Sequence, residues 1–287
     1  MLVMSQHVLF MSLSTNKYVL NSVVLALEED LGTGDVSADL LLDKINTAEI
    51  ISRESGIICG IEYAQSTFLL LNDNLKLDWK VKDGEDINPG QVLCVLKGSS
   101  KAIISAERVA LNFLQMLSSV ATRTHYLVNK INHTNAQLLD TRKTIIGLRF
   151  AQKYAVKCGG GVNHRMGLYD CVILKENHII ASGSITLSVK IAIEKYPNLP
   201  LIVEVEDLNQ LQEVLKLSGI TRALCDNFLI SDLIQAVVMA KGKLPLEASG
   251  NINESTIVEV ANTGIDFISI GSITKNIQAI DLSLRFI

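Results

Sequence analysis

The sequence lacks most features of a secreted, membrane-spanning or nucleic-acid-binding protein. Its five cysteines are scattered, odd in number and without a CxxC pair, which argues against a disulfide framework or zinc ribbon and favours a reducing cytoplasm. The sequence contains no run of roughly 18 uncharged apolar residues, so we expect no membrane span. Residues 1–17 have no basic stretch before their broken apolar run, so we expect no signal peptide. The 26 basic residues are outnumbered by 30 acidic ones, which argues against a general nucleic-acid binder.

The sequence also lacks common signatures of hydrolytic and nucleotide-binding enzymes. It contains no HExxH and no GxSxG, and the glycine-rich stretch 158–165 matches neither a P-loop nor the GxGxxG of a dinucleotide fold. His7, His125 and His133 are isolated, without metal-ligand spacing, and we interpret them as ordinary surface or core residues.

Hydrophobic periodicity divides the chain into two parts. Residues 17–31 have helical spacing, and residues 47–104 alternate short apolar runs with turns around a helical stretch, which predicts a small α+β domain over residues 1–117. A long amphipathic helix over about 105–131 is expected to lead into a second domain, 118–275. We assign the C-terminal tail, 276–287, to the first domain.

The second part has a regular rhythm. Six short apolar runs (AQLLD, CVILKE, LIVEVE, RALCDN, PLEASG and FISIGS) are separated by stretches with helical periodicity, which predicts an α/β domain with a parallel sheet. Each run ends in polar or small residues on its carboxyl side. Since barrel enzymes build their sites from the ends of several strands, this recurrence favours a barrel over an open doubly wound sheet.

Basic residues are concentrated in one segment of this acidic protein. Between residues 140 and 178, seven Lys and Arg face three Asp and Glu, a net charge of +4, whereas the whole chain carries −4 and the remainder −8. This concentration indicates a pocket for a polyanionic small molecule. For Lys153 and Lys157, four apart on a helical stretch, we favour a solvated helix face. The seven basic residues are Arg142, Lys143, Arg149, Lys153, Lys157, Arg165 and Lys175.

Three of these cations lie at strand ends. Arg142 and Lys143 directly follow an apolar strand, which favours a functional role. Lys175 ends a nearly continuous apolar run, where an unpaired ammonium would be costly without an anionic partner. The alternative for Lys175 is a structural ion pair with Glu204 or Asp226.

Glycine-containing loops accompany the cations. The three glycines at 159–161 precede His164 and Arg165, and they indicate either a plain turn or a close approach of the backbone to a ligand. The segments 249–251 and 270–272 follow late strands, where barrel enzymes bind phosphate on backbone amides.

Acidic residues also end the predicted strands. Glu204 and Asp226 could stabilise positive charge in a transition state or hold magnesium through water, and their alternative role is to neutralise neighbouring cations. Glu247 precedes one of the glycine loops, and we expect it to support the site rather than to touch the substrate.

The run DTRKTIIGLRFAQKYAVKCGGGVNHRMGLYDCVILKENHI closely resembles the signature of the quinolinate phosphoribosyltransferases, also called carboxylating nicotinate-nucleotide pyrophosphorylases. ALEEDLGTGDVS, SAERVALNFLQMLSSVAT, LEASGNI and ISIGSIT extend the resemblance over nearly the whole chain. The resemblance implies an N-terminal α+β sandwich domain followed by an incomplete (β/α) barrel, with a type II phosphoribosyltransferase architecture.

The resemblance also implies an activity. It is transfer of the phosphoribosyl group from phosphoribosyl pyrophosphate to quinolinate with decarboxylation, which gives nicotinate mononucleotide, pyrophosphate and CO2 in de novo NAD biosynthesis. Mg2+ is the implied cofactor, bound to the pyrophosphate and faced by Glu204 and Asp226. The implied catalytic residues are Lys143, Lys175, Glu204 and Asp226. The implied substrate-binding residues are Arg108, Thr141, Arg142, Lys143, His164, Arg165, Lys175, Glu204, Asp226, Ser249, Gly250, Asn251, Ile270, Gly271 and Ser272.

The same resemblance implies a homodimer, or a higher oligomer, in which Arg108 reaches the active site of the neighbouring subunit. From the cysteine usage, net charge and hydropathy described above, we expect a cytoplasmic protein with no nucleic-acid or membrane partner. Two departures stand out: Ile-Ile at 145–146 replaces the usual Thr-Pro, and Cys-Asp-Asn at 225–227 replaces Leu-Asp-Asn. The first removes a proline and a hydroxyl from a loop beside the substrate, which leaves the role of Thr144 open.

Three other functions compete with this one. A paralogue associated with molybdenum transport would use the same fold on another acceptor, although the intact TRK and NHR motifs favour quinolinate. A barrel aldolase would use Lys175 as a Schiff-base lysine. A non-enzymatic anion-binding scaffold would bind quinolinate and release no CO2.

Overall fold

A computed structural model describes residues 16–287. The signal-peptide prediction and the interpretation of His7 fall on residues outside this range. Within it, no helix combines the length and hydrophobicity that a membrane crossing requires. Packing divides the described chain into two units. The first contains the residues up to Arg123 together with Ile145–Gly159 and Asn276–Ile287, and the second contains Thr124–Thr144 and Gly160–Lys275.

Helices and strands alternate along the chain and are numbered here in order. The helices are α1 (Lys17–Leu31), α2 (Ile61–Leu71), α3 (Ser100–Ile131), α4 (Arg149–Cys158), α5 (Glu176–Ser182), α6 (Ile185–Lys195), α7 (Leu208–Val214), α8 (Ile230–Ala240), α9 (Ile257–Asn262) and α10 (Ser272–Lys275). The strands are β1 (Ile45–Ser52), β2 (Gly56–Ile57), β3 (Lys76–Trp79), β4 (Asp86–Ile87), β5 (Val92–Ser99), β6 (Gln137–Leu139), β7 (Val172–Leu174), β8 (Leu201–Val205), β9 (Arg222–Asp226), β10 (Leu246–Ser249), β11 (Phe267–Ser269) and β12 (Leu282–Phe286). A 3-10 turn covers Ala38–Leu40.

The first unit contains an antiparallel sheet in the order β12-β1-β5-β3 and a separate β2-β4 pair. Its core includes an apolar cluster to which Ile50, Phe68 and Leu96 belong. The C-terminal strand β12 lies at the edge of the sheet and pairs with β1, so the tail 276–287 contributes directly to this unit. The pairing of β1 with both β5 and β12 joins segments that are far apart in the sequence.

Helix α1 shows how local sequence sets an element of this unit. The side chain of Asn16 accepts a hydrogen bond from the backbone N–H of Tyr18 at 3.0 Å, which caps the first turn. The helix ends at Leu31, before Gly32 at a φ of 52°. Its buried residues, Val19, Leu20, Val23 and Leu27, repeat at helical spacing, so the helix predicted over 17–31 is confirmed.

Helix α4 groups with the first unit although it lies within the range predicted for the second domain. Phe150 stacks on Tyr18 of α1 at 4.7 Å between ring centroids, and the Tyr154 hydroxyl donates to Asp83 at 3.0 Å. Lys153 is completely buried, so the interpretation of Lys153 as part of a solvated face is wrong, whereas Lys157 is exposed. The helix is packed on more than one side, which a spacing of four residues does not reveal. The predicted boundary at 117–118 stays a prediction.

The second unit is built on six parallel strands in the order β6-β11-β10-β9-β8-β7. From β7 to β11 each strand lies beside its predecessor and the order never reverses, which is the winding of a barrel and not of a doubly wound sheet. Among the described residues β6 and β7 are the two edges and are not paired with each other, so the barrel is incomplete. This confirms the fold class that the resemblance implies. All six strands predicted from the apolar runs are present.

Candidate active site

The carboxyl ends of the six strands of the second unit lie at one edge of the sheet. The loop after β6 brings Arg142 and Lys143 to this edge, and both side chains are exposed. The loop is held by two hydrogen bonds: the Lys143 amide donates to Thr141 Oγ1 at 3.0 Å, and Thr274 Oγ1 donates to the Lys143 carbonyl at 2.8 Å. Gly271 lies so close that a β-carbon there would fall 2.7 Å from Lys143 Cδ. The first and last strand loops are therefore packed together.

Asp140 anchors the glycine-rich segment beside this loop. Its side chain is completely buried and accepts hydrogen bonds from Asn163 Nδ2 at 2.5 Å and from the His164 amide at 2.8 Å. Val162 extends the sheet as a parallel bridge to Leu139. The chain after the three glycines is thus fixed against the end of β6, and we now add Asp140 to the residues that shape the site.

Arg165 follows this anchored segment. Its Nη1 donates to the Cys171 carbonyl at 3.0 Å, while Asp170 accepts from the amides of Met166 and Gly167. Burial lowers the pKa of the Arg165 guanidinium, and the neighbouring Arg142 cation lowers this pKa further. Arg142 and Arg165 therefore lie close enough for their positive charges to interact, and such proximity favours an anion near them.

Lys175 and Glu204 meet at the ends of β7 and β8. Lys175 Nζ lies 2.6 Å from Glu204 Oε2, and the side chains are 50% and 13% exposed. Because β7 ends at Leu174 and the Lys175 side chain is half exposed, an unpaired ammonium here would cost less than its position after an apolar run indicates. The alternative, an ion pair with Glu204, is present.

Asp226 at the end of β9 is linked to the loop after β10. Asp226 Oδ2 accepts from Asn227 Nδ2 at 2.8 Å, and Asn227 Oδ1 accepts from Asn251 Nδ2 at 3.1 Å. The Asn227 amide also donates to the Ser249 carbonyl at 2.8 Å. Asn227, Gly250 and Asn251 all have positive φ, a conformation that can present backbone N–H groups to an anion.

Beneath this edge lies a buried charge cluster that the sequence interpretation largely missed. Glu247 is completely buried, with Oε2 2.9 Å from Arg222 Nε and 3.4 Å from His164 Nε2. The Arg222 guanidinium lies 4.5 Å from the centre of the Phe267 ring. Arg222 lies in the apolar strand RALCD and Glu247 in the apolar strand LEAS. A charged residue in such a strand was the sequence feature that could have identified Arg222 as part of a buried cluster.

The remaining predicted residues differ in their placement. Ile270 is buried and its amide donates to the Leu139 carbonyl at 3.0 Å, and Ser272 begins α10. Cys225 is fully buried, as expected for a residue in place of leucine. Ile146 is 98% exposed, so the departure from Thr-Pro lies on the surface.

Arg108 belongs to the first unit, where its side chain is exposed on α3.

The acidic residues of the site decide how magnesium could be held. No group of three or more His, Cys, Asp or Glu side chains that could enclose a metal occurs among residues 16–287. In the contacts above, Glu204 uses Oε2 toward Lys175 and Asp226 uses Oδ2 toward Asn227. Each carboxylate has a second oxygen that could face a metal ion. Two carboxylates suit Mg2+ that is held mainly by water and substrate phosphates, which is how proteins commonly bind this ion.

Comparison with known proteins gives consistent matches across the chain. The family model described as quinolinate phosphoribosyl transferase, N-terminal domain, matches residues 35–118, and the model of the C-terminal domain matches residues 120–285. A chloroplastic nicotinate-nucleotide pyrophosphorylase (carboxylating) of Arabidopsis thaliana is 38% identical over 290 residues, which cover 93% of this chain and 83% of the relative. A mitochondrial quinolinate phosphoribosyltransferase (decarboxylating) of Nicotiana glauca is 37% identical over 283 residues, covering 91% and 80%.

The fold agrees with these matches. The structure of the nicotinate-nucleotide pyrophosphorylase from Francisella tularensis superimposes with a TM-score of 0.92 at 44% sequence identity, covering 94% of this chain and 96% of that one. Because both domain models and relatives of nearly full coverage agree, the chain belongs to the quinolinate phosphoribosyltransferase family.

Proposed function

We propose that the carboxyl edge of the parallel sheet is where this chain joins quinolinate to the phosphoribosyl group of phosphoribosyl pyrophosphate, with loss of CO2 and pyrophosphate, in NAD biosynthesis. Membership of the family supports this activity. The observation that carries the assignment is the placement of Arg142, Lys143 and Lys175 just after parallel strands, with Arg165 held beside the same edge. Quinolinate and phosphoribosyl pyrophosphate are both polyanions, and adjoining cations would lower the cost of bringing them together.

The binding roles follow from the position of each group. Arg142 and Arg165 would hold the quinolinate carboxylates, because a guanidinium can bind a carboxylate through two parallel hydrogen bonds. Lys143, with its backbone fixed on both sides, would reach substrate anions as a compact charge. The 5′-phosphate would bind at the loops 249–251 and 270–272. Positive φ at Gly250 and Asn251 supports this, since such turns form concave sets of N–H donors.

The chemistry requires positioning and electrostatic stabilisation rather than a covalent intermediate. As the bond to pyrophosphate breaks, the ribose acquires oxocarbenium character, and Glu204 and Asp226 would stabilise that positive charge. The pyridine nitrogen attacks the anomeric carbon and becomes cationic. The electron pair left when the adjacent carboxylate departs as CO2 is stabilised by that cation, and the carbon then takes up a proton. Lys175 would position Glu204 through their ion pair.

We further propose that Mg2+ accompanies the pyrophosphate, with Glu204 and Asp226 as the residues that face it. The ion supplies charge neutralisation of the leaving group when bound. We also propose a homodimer in which Arg108 contributes to the site of the neighbouring subunit; its exposure on α3 supports this. A cytoplasmic location is proposed as well, although the names of two plant relatives place those proteins in the chloroplast and the mitochondrion.

The decisive experiment measures release of CO2 from carboxyl-labelled quinolinate with and without phosphoribosyl pyrophosphate. We expect release only when both substrates and Mg2+ are present. Lys143→Ala and Arg165→Ala should abolish turnover, whereas Lys190→Ala, which changes an exposed lysine on α6, is the matched control and should leave turnover unchanged. Near-wild-type kcat/KM in Lys143→Ala or Arg165→Ala would show that the diacid pocket is misplaced.

The same preparation tests the other functions. Turnover with a different acceptor but not with quinolinate would indicate a paralogue of the molybdenum-associated kind. Inactivation by borohydride in the presence of a carbonyl substrate would indicate an aldolase. Binding of quinolinate without CO2 release would indicate a scaffold.

A further inference from the structure

The buried cluster beneath the site is too costly to be incidental. Glu247 has no exposed surface, Arg222 is 14% exposed and His164 is 8% exposed. Removing two charges from water is expensive, and a buried ion pair is often no more stabilising than apolar residues of similar volume. A stability argument alone therefore does not account for Arg222 and Glu247, and their contact with His164 points to a role at the site above.

Glu247 is charged in the folded protein. Burial by itself raises the pKa of its carboxyl group, but His164, Arg222 and Ser269 together outweigh burial and hold that pKa below its ordinary value. Arg222 is held in turn by the face of Phe267 at 4.5 Å, an arrangement that attracts a cation to an aromatic ring. Glu247 is thus an anion at neutral pH, held at a fixed place in the unit.

The hydrogen bonds of His164 define its tautomer. The backbone N–H of Arg165 donates to His164 Nδ1 at 2.7 Å, so Nδ1 is the acceptor and carries no proton. The ring proton of the neutral imidazole is then on Nε2, which lies 3.4 Å from Glu247 Oε2. Glu247 favours this tautomer because its Oε2 places negative charge 3.4 Å from Nε2, a close electrostatic contact without the geometry of a hydrogen bond.

These contacts form a continuous chain that ends at a substrate-facing cation. Glu247 holds the His164 ring, the ring holds the Arg165 backbone, and the Arg165 guanidinium is aimed by its bond to the Cys171 carbonyl. Asp140 accepts from the backbone amide of His164 and so fixes the backbone of the same residue.

We propose that Glu247, with Arg222 as its counter-ion, is a positioning residue that orients His164 and through it Arg165 for binding the acceptor's carboxylate. This role rests on the proposed function, because it assigns Arg165 to quinolinate. The Glu247 side chain contacts His164 and Arg222, whereas the phosphate loop 249–251 follows it on the same strand, so disturbing the cluster should weaken binding of quinolinate more than binding of phosphoribosyl pyrophosphate.

Two double variants test the proposal. Arg222→Met/Glu247→Gln removes both charges but retains a polar oxygen facing His164 Nε2. Arg222→Leu/Glu247→Leu removes both charges and also that oxygen. Neither leaves an uncompensated buried charge, which single substitutions would do. The pair therefore differs mainly in the polar oxygen at position 247.

We expect the leucine pair to raise KM for quinolinate by at least about tenfold, with KM for phosphoribosyl pyrophosphate within about threefold of wild type. Arg222→Met/Glu247→Gln should keep KM for quinolinate and KM for phosphoribosyl pyrophosphate within about threefold of the wild-type values. Loss of structure alone would reduce the active fraction and would not separate the two substrates. Equal quinolinate KM values in the two variants and the wild type would overturn the proposal.

A second measurement does not depend on activity or on the folding of a variant. In the wild-type protein, 15N NMR of the histidine side chains, with His164 assigned by His164→Asn, should show Nε2 protonated and Nδ1 bare. The opposite tautomer at neutral pH would overturn the proposed arrangement. If the wild type showed this tautomer but released no CO2 from quinolinate, the proposed function would fail while the contact between Glu247 and His164 would stand.

Discussion

Lys175 and Glu204 form an ion pair in which Nζ lies 2.6 Å from Oε2, at the ends of two neighbouring parallel strands. The lysine side chain is half exposed, so this pair is worth little to stability, as is typical of ion pairs near solvent. Its significance lies in the reaction, because the lysine fixes the direction of a carboxylate that we assign to the ribose.

We expect Lys175→Ala to lower kcat/KM for quinolinate by at least about 100-fold, the size seen when a positioned electrostatic group is lost. The free energy of unfolding should change by no more than about 1 kcal/mol. Steady-state kinetics and urea unfolding on the same sample measure both quantities. A variant that loses stability and activity together would show that the pair is structural.

Gly250 provides a test of the phosphate loop. Its φ is +96°, and an added β-carbon would lie 2.2 Å from Asn227 Oδ1 and 2.9 Å from the Asn227 amide nitrogen. We expect Gly250→Ala to raise KM for phosphoribosyl pyrophosphate by at least about tenfold, because Asn227 must move and it also contacts Asp226.

Gly242→Ala is the matched control for that substitution. Gly242 also has a positive φ, +70°, but no atom lies within 4 Å of the position of its β-carbon. Gly242→Ala should therefore lower the free energy of unfolding by about 1 kcal/mol through the backbone conformation alone, and KM for both substrates should be unchanged. Equal effects of the two alanines on KM would contradict the assignment of the loop.

Cys158 should be the most reactive of the five thiols. A hydrogen bond from Cys59 is the main cause that lowers the Cys158 pKa, with a further hydrogen bond from Tyr154, and Cys158 is half-buried. Burial raises the pKa of Cys94 and of Cys225 to about 12 in each case. Because the thiolate is the nucleophile, limited iodoacetamide at neutral pH should label Cys158 first.

Peptide mapping by mass spectrometry measures this order of labelling, and Cys158→Ser is the control that should remove the fast phase. Fast labelling of Cys94 or Cys225 in the folded protein would contradict the prediction.

Glu247 should make the protein sensitive to acid. Its pKa is lower in the folded state than its ordinary value of 4.5, so below pH 4.5 the unfolded chain binds more protons at this group than the folded chain does. Its contribution to stability is present above that pH and is lost as the pH falls through the folded pKa. In urea unfolding at a series of pH values, the free energy of unfolding of Arg222→Met/Glu247→Gln should fall less steeply with decreasing pH than that of wild type. Identical slopes would mean that Glu247 is not the source.

Local sequence patterns predict which segments form helices and strands, and they also indicate which charged residues end the strands of the second unit. Alternation of apolar runs with helical stretches predicts the six strands from β6 to β11, because burial imposes a period on each element separately. The polar residues that end those runs, such as Lys143, Glu204 and Asp226, predict the carboxyl edge as the site. The motifs around them, through resemblance, also indicate the family.

Which distant residues meet depends on long-range packing. The pairing of β1 with β12, the burial of Lys153 and the contact of Arg222 with Glu247 all join segments that no local period relates. A charge in an apolar strand looks the same in sequence whether it faces solvent or a buried partner. Its partner is determined by strand order and register, which arise from long-range packing and therefore cannot be derived from one segment alone.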